Sequence, residues 1–226
     1  MTAEQPTTRT PSAIDQIAEG WVDTLTDLSP ILGTYIGRNE VNHRLDDYSP
    51  SGHERSVAET RRVLAELDAQ EPVDEIDRVT KTDLSAELRL SLEQSEAQWH
   101  LRDLNVIASA AQDIRQSFDL MPTGTAEDWR VISERLGAVP AALEGYVATL
   151  REGIDKGAVP ARRQVVEVAT QIARYTADDG FFASFVADAA TEEGQLPASL
   201  ARDLADRSAA ARVAYDELRT FLSAEL

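Results

Sequence analysis

The chain has no cysteine, so it can hold neither a disulfide framework nor a thiolate zinc site. Lysine is nearly missing, present only at Lys81 and Lys156, and arginine carries almost all of the positive charge. That bias is the mark of a GC-rich genome. Positive charge is short altogether: 22 basic residues stand against 40 acidic ones, for a formal net charge of −18. Such a balance works against non-specific attraction to nucleic acid or anionic membranes. The opening stretch, MTAEQPTTRTPS, has no apolar segment of the kind a secretory signal needs. No apolar run is long enough to predict a membrane span, and a cytoplasmic protein is expected.

Chemical motifs are missing too. No Gly-rich phosphate loop occurs, and no serine sits in a G-x-S-x-G elbow. Zinc hydrolases commonly set two histidines one helical turn apart beside a glutamate, so that metal-bound water meets its general base. Here the one His-Glu pair, His53-Glu54, is followed by RSVAE with no second histidine. His43 and His100 lie far from it in sequence. The adjacent pairs Asp46-Asp47, Asp178-Asp179 and Glu192-Glu193 read as solvated or capping carboxylates. No metal ligand and no catalytic residue is predicted.

What remains is helical patterning. Hydrophobic residues make up 42% and charged residues 27% of the 226, a soluble globular composition. No segment alternates as a strand would, and no internal repeat stands out. An all-α fold is expected, an irregular array of about eight helices, with residues 1–11 a disordered arm and 12–226 one helical domain. Ser12 caps a first helix carrying Ile14, Ile17, Trp21, Leu25 and Leu28, which Pro30 ends. An irregular segment follows to Pro50. Ser51 and Glu54 read as a capping box. A long helix runs from Asp74 or Asp77 to about Asp103, with Ile76, Leu84, Leu88, Leu92 and Trp99 as its inner stripe. A helix over 108–121 turns Ile114 and Phe118 inward. Thr125 and Asp128 open the next one, which Pro140 restarts or kinks. Val165, Val168 and Ile172 form the face of another. A last helix from Pro197 carries Leu200, Leu204, Val213, Leu218 and Leu222. Its pattern is still running at Leu226, which predicts that the chain is the front part of a longer polypeptide.

Two segments stand out as candidates for function. The loop at Arg44–Pro50 places Arg44, Asp47 and Tyr48 where they could line a polar cleft. The helix that follows Asn105 carries Gln112, Arg115 and Asp119, with Arg115 and Asp119 one turn apart. An arginine held by an aspartate can bind a substrate carboxylate; the plainer reading is a surface ion pair.

These segments also carry a family resemblance. LGTYIG, then HRLDDYSP at His43–Pro50, QDIRQSFDLMPTGTAEDW at Gln112–Trp129 and PARRQVVEVATQI at Pro160–Ile172 resemble, in order, the bacterial proteins grouped as domain of unknown function 885. Proteins of that group are larger, mostly helical, and similar to zinc metallopeptidases of the carboxypeptidase Taq and oligopeptidase type. The resemblance implies that zinc and its ligands belong to a C-terminal half not contained in this chain. It implies as partners that missing lobe and a peptide substrate. This chain would then be a front lobe, inactive alone, lining one side of a substrate cleft through Arg44, Asp47, Tyr48, Gln112, Arg115 and Asp119. The alternative is a stand-alone acidic helical module that holds a partner without catalysis.

Overall fold

A computed structural model describes residues 9–192 and 194–226. They form nine α-helices: α1 (Ala13–Leu28), α2 (Pro30–Tyr35), α3 (Pro50–Asp68), α4 (Glu75–Glu96), α5 (Ala110–Gln116), α6 (Ala126–Lys156), α7 (Arg162–Tyr175), α8 (Phe181–Ala187) and α9 (Ala198–Ala224). The fold is all-α, as the patterning predicts. The one extended feature among the described residues is a short antiparallel bridge between β1 (Ala190–Thr191) and β2 (Gly194–Gln195). Among the described residues no helix is long and apolar enough to cross a membrane.

Local chemistry sets the helix starts. Ser12 and Asp15 make a full capping box on α1, and Thr125 and Asp128 make one on α6. Pro30 does more than end α1. It occupies the first turn of α2, a place that suits its fixed φ and missing N–H. The predicted irregular segment after it therefore starts as helix and also holds a 3-10 turn at Asn39–Val41. The cap of α3 lies two residues before the expected Ser51, because Ser49 accepts from the Gly52 N–H and Pro50 fits the first turn. Residues 1–8 of the predicted arm lie outside the described residues. Arg9 is anchored, pairing with Asp74, Asp15 and Asp77.

The core falls into two clusters. The larger joins α5–α9 and includes Phe118, Trp129, Leu136, Ile172, Tyr215 and Leu222. The smaller joins α1, α3 and α4 through Ile14, Trp21, Val63, Leu67 and Leu88. α6, 31 residues long, is the spine of the larger cluster and packs chiefly against α9. It runs through Pro140 without a break, where a restart or kink was expected. In α9, Val213 faces solvent while its predicted partners Leu200, Leu204, Leu218 and Leu222 are buried.

α4 departs furthest from expectation. It stops at Glu96, and a separate 3-10 turn follows at Trp99–Arg102. Ile76 and Trp99 of the predicted stripe are exposed. Leu84 and Leu88 pack inward as predicted, but in the first turn Asp77, one residue after Ile76, takes the inner position, accepting from Ser12 Oγ (2.7 Å) and the Val73 N–H (3.0 Å). α5 likewise ends early, giving way to a 3-10 turn at Ser117–Leu120, although Ile114 and Phe118 are buried as predicted.

The Trp99–Arg102 turn lies hard against α6. A Cβ on Gly153 would stand 2.4 Å from the Leu101 carbonyl oxygen, and Leu101 is fully buried. Gly153→Ala is therefore expected to cost roughly 1–3 kcal/mol, since backbone on both sides must move. Urea denaturation measures this; a loss below ~0.5 kcal/mol, no more than an ordinary surface change, would show that the turn yields freely.

Candidate functional site

The 3-10 turn brings together two residues that are distant in sequence. Gln98 adopts a left-handed conformation (φ 57°), which ends α4 and turns the chain back. His100, in the turn, stacks on His53, in the first turns of α3. Their ring centres are 3.5 Å apart and the planes differ by 15°. His53 Nε2 lies 2.8 Å from Ser95 Oγ. His100 Nδ1 is buried without a protein partner. Burial lowers the pKa of both rings, His100 to about 4, and repulsion from His53 adds to the shift of His100. Glu152 pulls the other way from α6. Both rings are neutral at pH 7, the state in which two imidazoles can stack closely.

The pair separates two cavities, and His53, Ser56, His100 and Asp103 line both. The smaller is about 240 Å³. Tyr48 and Tyr146 meet in it edge to face, 6.1 Å between centres. α6 holds this wall in place: Thr149 Oγ1 donates to the Tyr48 carbonyl (2.7 Å), and Tyr146 donates to the Asp103 carbonyl (2.5 Å). Asp46, Asp47 and Asp103 supply carboxylates to the lining. Asp46 also closes the start of α2, accepting from Ser29 Oγ (2.5 Å) and the Ile31 N–H (2.9 Å).

This end is electrostatically frustrated. Asp46, Asp103 and Asp113 form no ion pair among the described residues, and burial raises all three carboxyls. Asp113 reaches about 6, helped by repulsion from Asp103 and Asp46. The nearest compensating charge is Arg135 of α6, which is fully buried and lowered to about 10 by that burial. It donates to Thr34 Oγ1 (2.8 Å). A carboxyl titrating near neutrality can hold or pass a proton, and unpaired carboxylates can hold a cation.

The larger cavity, about 540 Å³, has a different character. Ser91, Gln94 and Ser95 of α4 face it at helical spacing, Ser56 faces them from α3, and Trp99 stands at its edge.

The structure distributes the predicted residues unevenly. Asp47 and Tyr48 line the smaller cavity. Arg44 points elsewhere, pairing with Asp27 at 2.8 Å. Gln112 is buried in a polar relay, accepting from Ser109 Oγ (2.6 Å) and donating to Gln171 Oε1 (2.7 Å). Arg115 pairs with Asp119 and stacks 4.0 Å from the centre of the Phe181 ring. Neither Gln112, Arg115 nor Asp119 lines the two cavities. In the loop, Asp46 joins Asp47 and Tyr48 in the lining; in α5 the cavity is met by Ala110, and Gln112 is buried away from it. The histidine pair left no sequence signal, because its halves lie on different elements. The polar i, i+3, i+4 face of Ser91, Gln94 and Ser95 is the one signal of this cavity that the sequence carries.

Arg115→Ala is expected to cost roughly 1–1.5 kcal/mol, the sum of a partly exposed cation–π contact and an exposed ion pair. Arg115→Lys should recover less than half of it, because an ammonium cannot stack as a planar guanidinium does. Guanidinium chloride denaturation checks both. A loss above ~3 kcal/mol would put Arg115 in the class of buried, structurally required charges.

Among the described residues no group of three His, Cys, Asp or Glu side chains is placed to hold a metal ion. No curated protein matches the chain. A solved structure described as that of "a putative lipoprotein of unknown function from Shewanella oneidensis" is similar in fold, with a TM-score of 0.71 at 17% identity. The match covers 95% of this chain but only 38% of that one, so the present chain spans well under half of its structural neighbour. The family model described as "Bacterial protein of unknown function (DUF885)" matches residues 30–226, nearly the whole chain. By that match the chain belongs to the DUF885 family of bacterial proteins.

Proposed function

We propose that this chain forms one wall of a substrate cleft in a larger hydrolase of the peptidase kind and has no activity alone. The observation that carries the reading is the pair of cavities meeting at His53 and His100, rimmed by Tyr48, Tyr146 and carboxylates that lack counter-charges. Carboxylates beside aromatic faces suit a peptide's ammonium group, whether terminal or on a basic side chain. The solved neighbour's fold extends far beyond the matched part, which is consistent with a second lobe closing the cleft. In this reading zinc and its ligands come from that lobe. Among the described residues of this chain none are grouped to hold zinc.

Isothermal titration tests the reading. Lys-Ala-Ala should bind the purified chain, its fully acetylated analogue should bind several-fold more weakly, and Asp103→Asn should reduce the difference. The chain alone should cleave neither. Absence of binding by the free-amine peptide, or cleavage by the isolated chain, would overturn it. Cytoplasmic location belongs to the same proposal. Cell fractionation checks it, and recovery with the membranes would refute it.

A second reading is a stand-alone acidic interaction module. It is favoured by Ile76, Val79 and Leu90, exposed on α4, on a chain of net charge −18. Charged replacements at Val79 and Leu90 that abolish partner binding while leaving peptide binding intact would select it.

A further inference from the structure

We propose that the larger cavity, beside Trp99, binds a neutral polyhydroxylated ligand, a short saccharide in class. The inference is independent of the peptide reading, which concerns the tyrosine and carboxylate end of the groove.

Trp99 is the starting point. Trp21 and Trp129 are buried, and Trp129 Nε1 donates to the Thr123 and Ala190 carbonyls. Trp99 is 55% exposed and has neither a hydrogen bond nor an aromatic partner among the described residues. It is put there by Gln98, the one non-glycine residue of the described chain with positive φ. Side chains other than Gly, Asn and Asp rarely accept that conformation, and such outliers concentrate at ligand-binding positions. An exposed indole face at a cavity mouth is a platform for the C–H face of a sugar ring.

The walls complement it. Ser56, Ser91 and Gln94 make no side-chain hydrogen bond among the described residues, whereas many serines and threonines elsewhere in these helices bond back to a carbonyl one turn earlier. A free hydroxyl both donates and accepts, and an amide does the same from two ends. That is the pairing sugar hydroxyls require. Phosphate or a terminal carboxylate is matched poorly, because Arg102 in the lining has Asp103 beside it. An extended peptide is matched poorly too. It gains affinity by adding to a sheet edge, and the lining, drawn from α3, α4, the 3-10 turn and the segment at Val159–Ala161, offers no strand. The volume, about 540 Å³, falls within the range of small-ligand sites.

Tryptophan fluorescence reads the site directly, because Trp99 alone of the three is exposed. The intact chain would be titrated with neutral trisaccharides of glucose, mannose and N-acetylglucosamine, and with trialanine. At least one sugar should give a saturable blue shift with a Kd below ~10 mM. Calorimetry should give the same constant. Trp99→Ala should weaken that binding by about tenfold or more and Ser91→Ala by roughly fivefold, with an unchanged melting temperature for Ser91→Ala. The proposal falls if none of the sugars binds. It falls if binding survives both substitutions, which would place the site elsewhere. It also falls if trialanine alone gives the shift, or if the shift follows protein concentration and not ligand, which would make Trp99 a self-association contact.

Discussion

Phe118→Ala is expected to destabilise the protein by ~3–5 kcal/mol, the usual cost of emptying a large aromatic site in a closed core. Phe118 is 1% exposed. Its ring sits among Phe181, Phe182 and Phe185, with centres 6.3, 6.3 and 6.0 Å away. It is therefore the point at which α8 is attached to the short helix after α5. Phe182 continues the contact to Tyr215 of α9 at 5.1 Å, and Tyr215 closes the circuit by donating to the Ala111 carbonyl at 2.9 Å. Because these contacts tie three elements together, little local collapse can refill the space. Denaturant melts followed by circular dichroism measure the loss. A change below ~1.5 kcal/mol would mean that α8 shifts to fill the cavity and is only loosely held.

The second large effect is on pH dependence. A histidine lowered on folding makes the protein lose stability as pH falls from its free value, about 6.5, through its folded value. For His100 that window runs from about 6.5 to about 4, and His53 adds to it in the same direction. A carboxyl raised on folding acts oppositely. The folded state takes up the proton first, so stability rises as pH falls from about 6 for Asp113, with Asp46 and Asp103 in support. The two effects oppose one another around one groove and should leave the wild-type profile shallow. Asp113→Asn should unmask the histidines, and its melting temperature should fall faster than the wild type's between pH 6.5 and 4.5. His100→Gln should unmask the carboxyls, so its melting temperature falls less, or rises, over the same interval. Taking differences from the wild type removes the shared contribution of Asp74 and Glu225, which arginines hold low on the surface. Parallel profiles for all three proteins would show that the groove does not perturb these groups.

Much of the fold was legible because it is written in local chemistry. Ser12 with Asp15 and Thr125 with Asp128 announce their helices within four residues, and the Val165, Val168, Ile172 face of α7 is pure periodicity. α4 keeps Leu84 and Leu88 inward as predicted, but in its first turn a buried aspartate takes the place expected of Ile76. Asp77 finds Ser12 and Arg9 across the chain, and no window centred on α4 contains that information. The groove was harder still. The loop at Arg44–Pro50 supplies Asp46, Asp47 and Tyr48 to it, whereas Gln112, Arg115 and Asp119 stay outside, since a shift of one position on a turn or helix changes the direction of a side chain. The stacked histidines depend on Gln98 bending the chain and on Gly153 letting the turn approach α6. Both are tertiary facts.

The division of the core into two clusters has a kinetic meaning. Regions with few buried apolar side chains open more often than the molecule as a whole unfolds. α1, α3 and α4 share five such residues, far fewer than the cluster around α6 and α9, so they form the unit that breathes. The groove straddles the boundary. His53 rides on the breathing side, while Tyr146 and Thr149 belong to the spine. Brief departures of α3 and α4 would widen and narrow the passage between the cavities while the main core stays shut, so the rate at which a ligand enters or leaves is set by the weaker half of the protein.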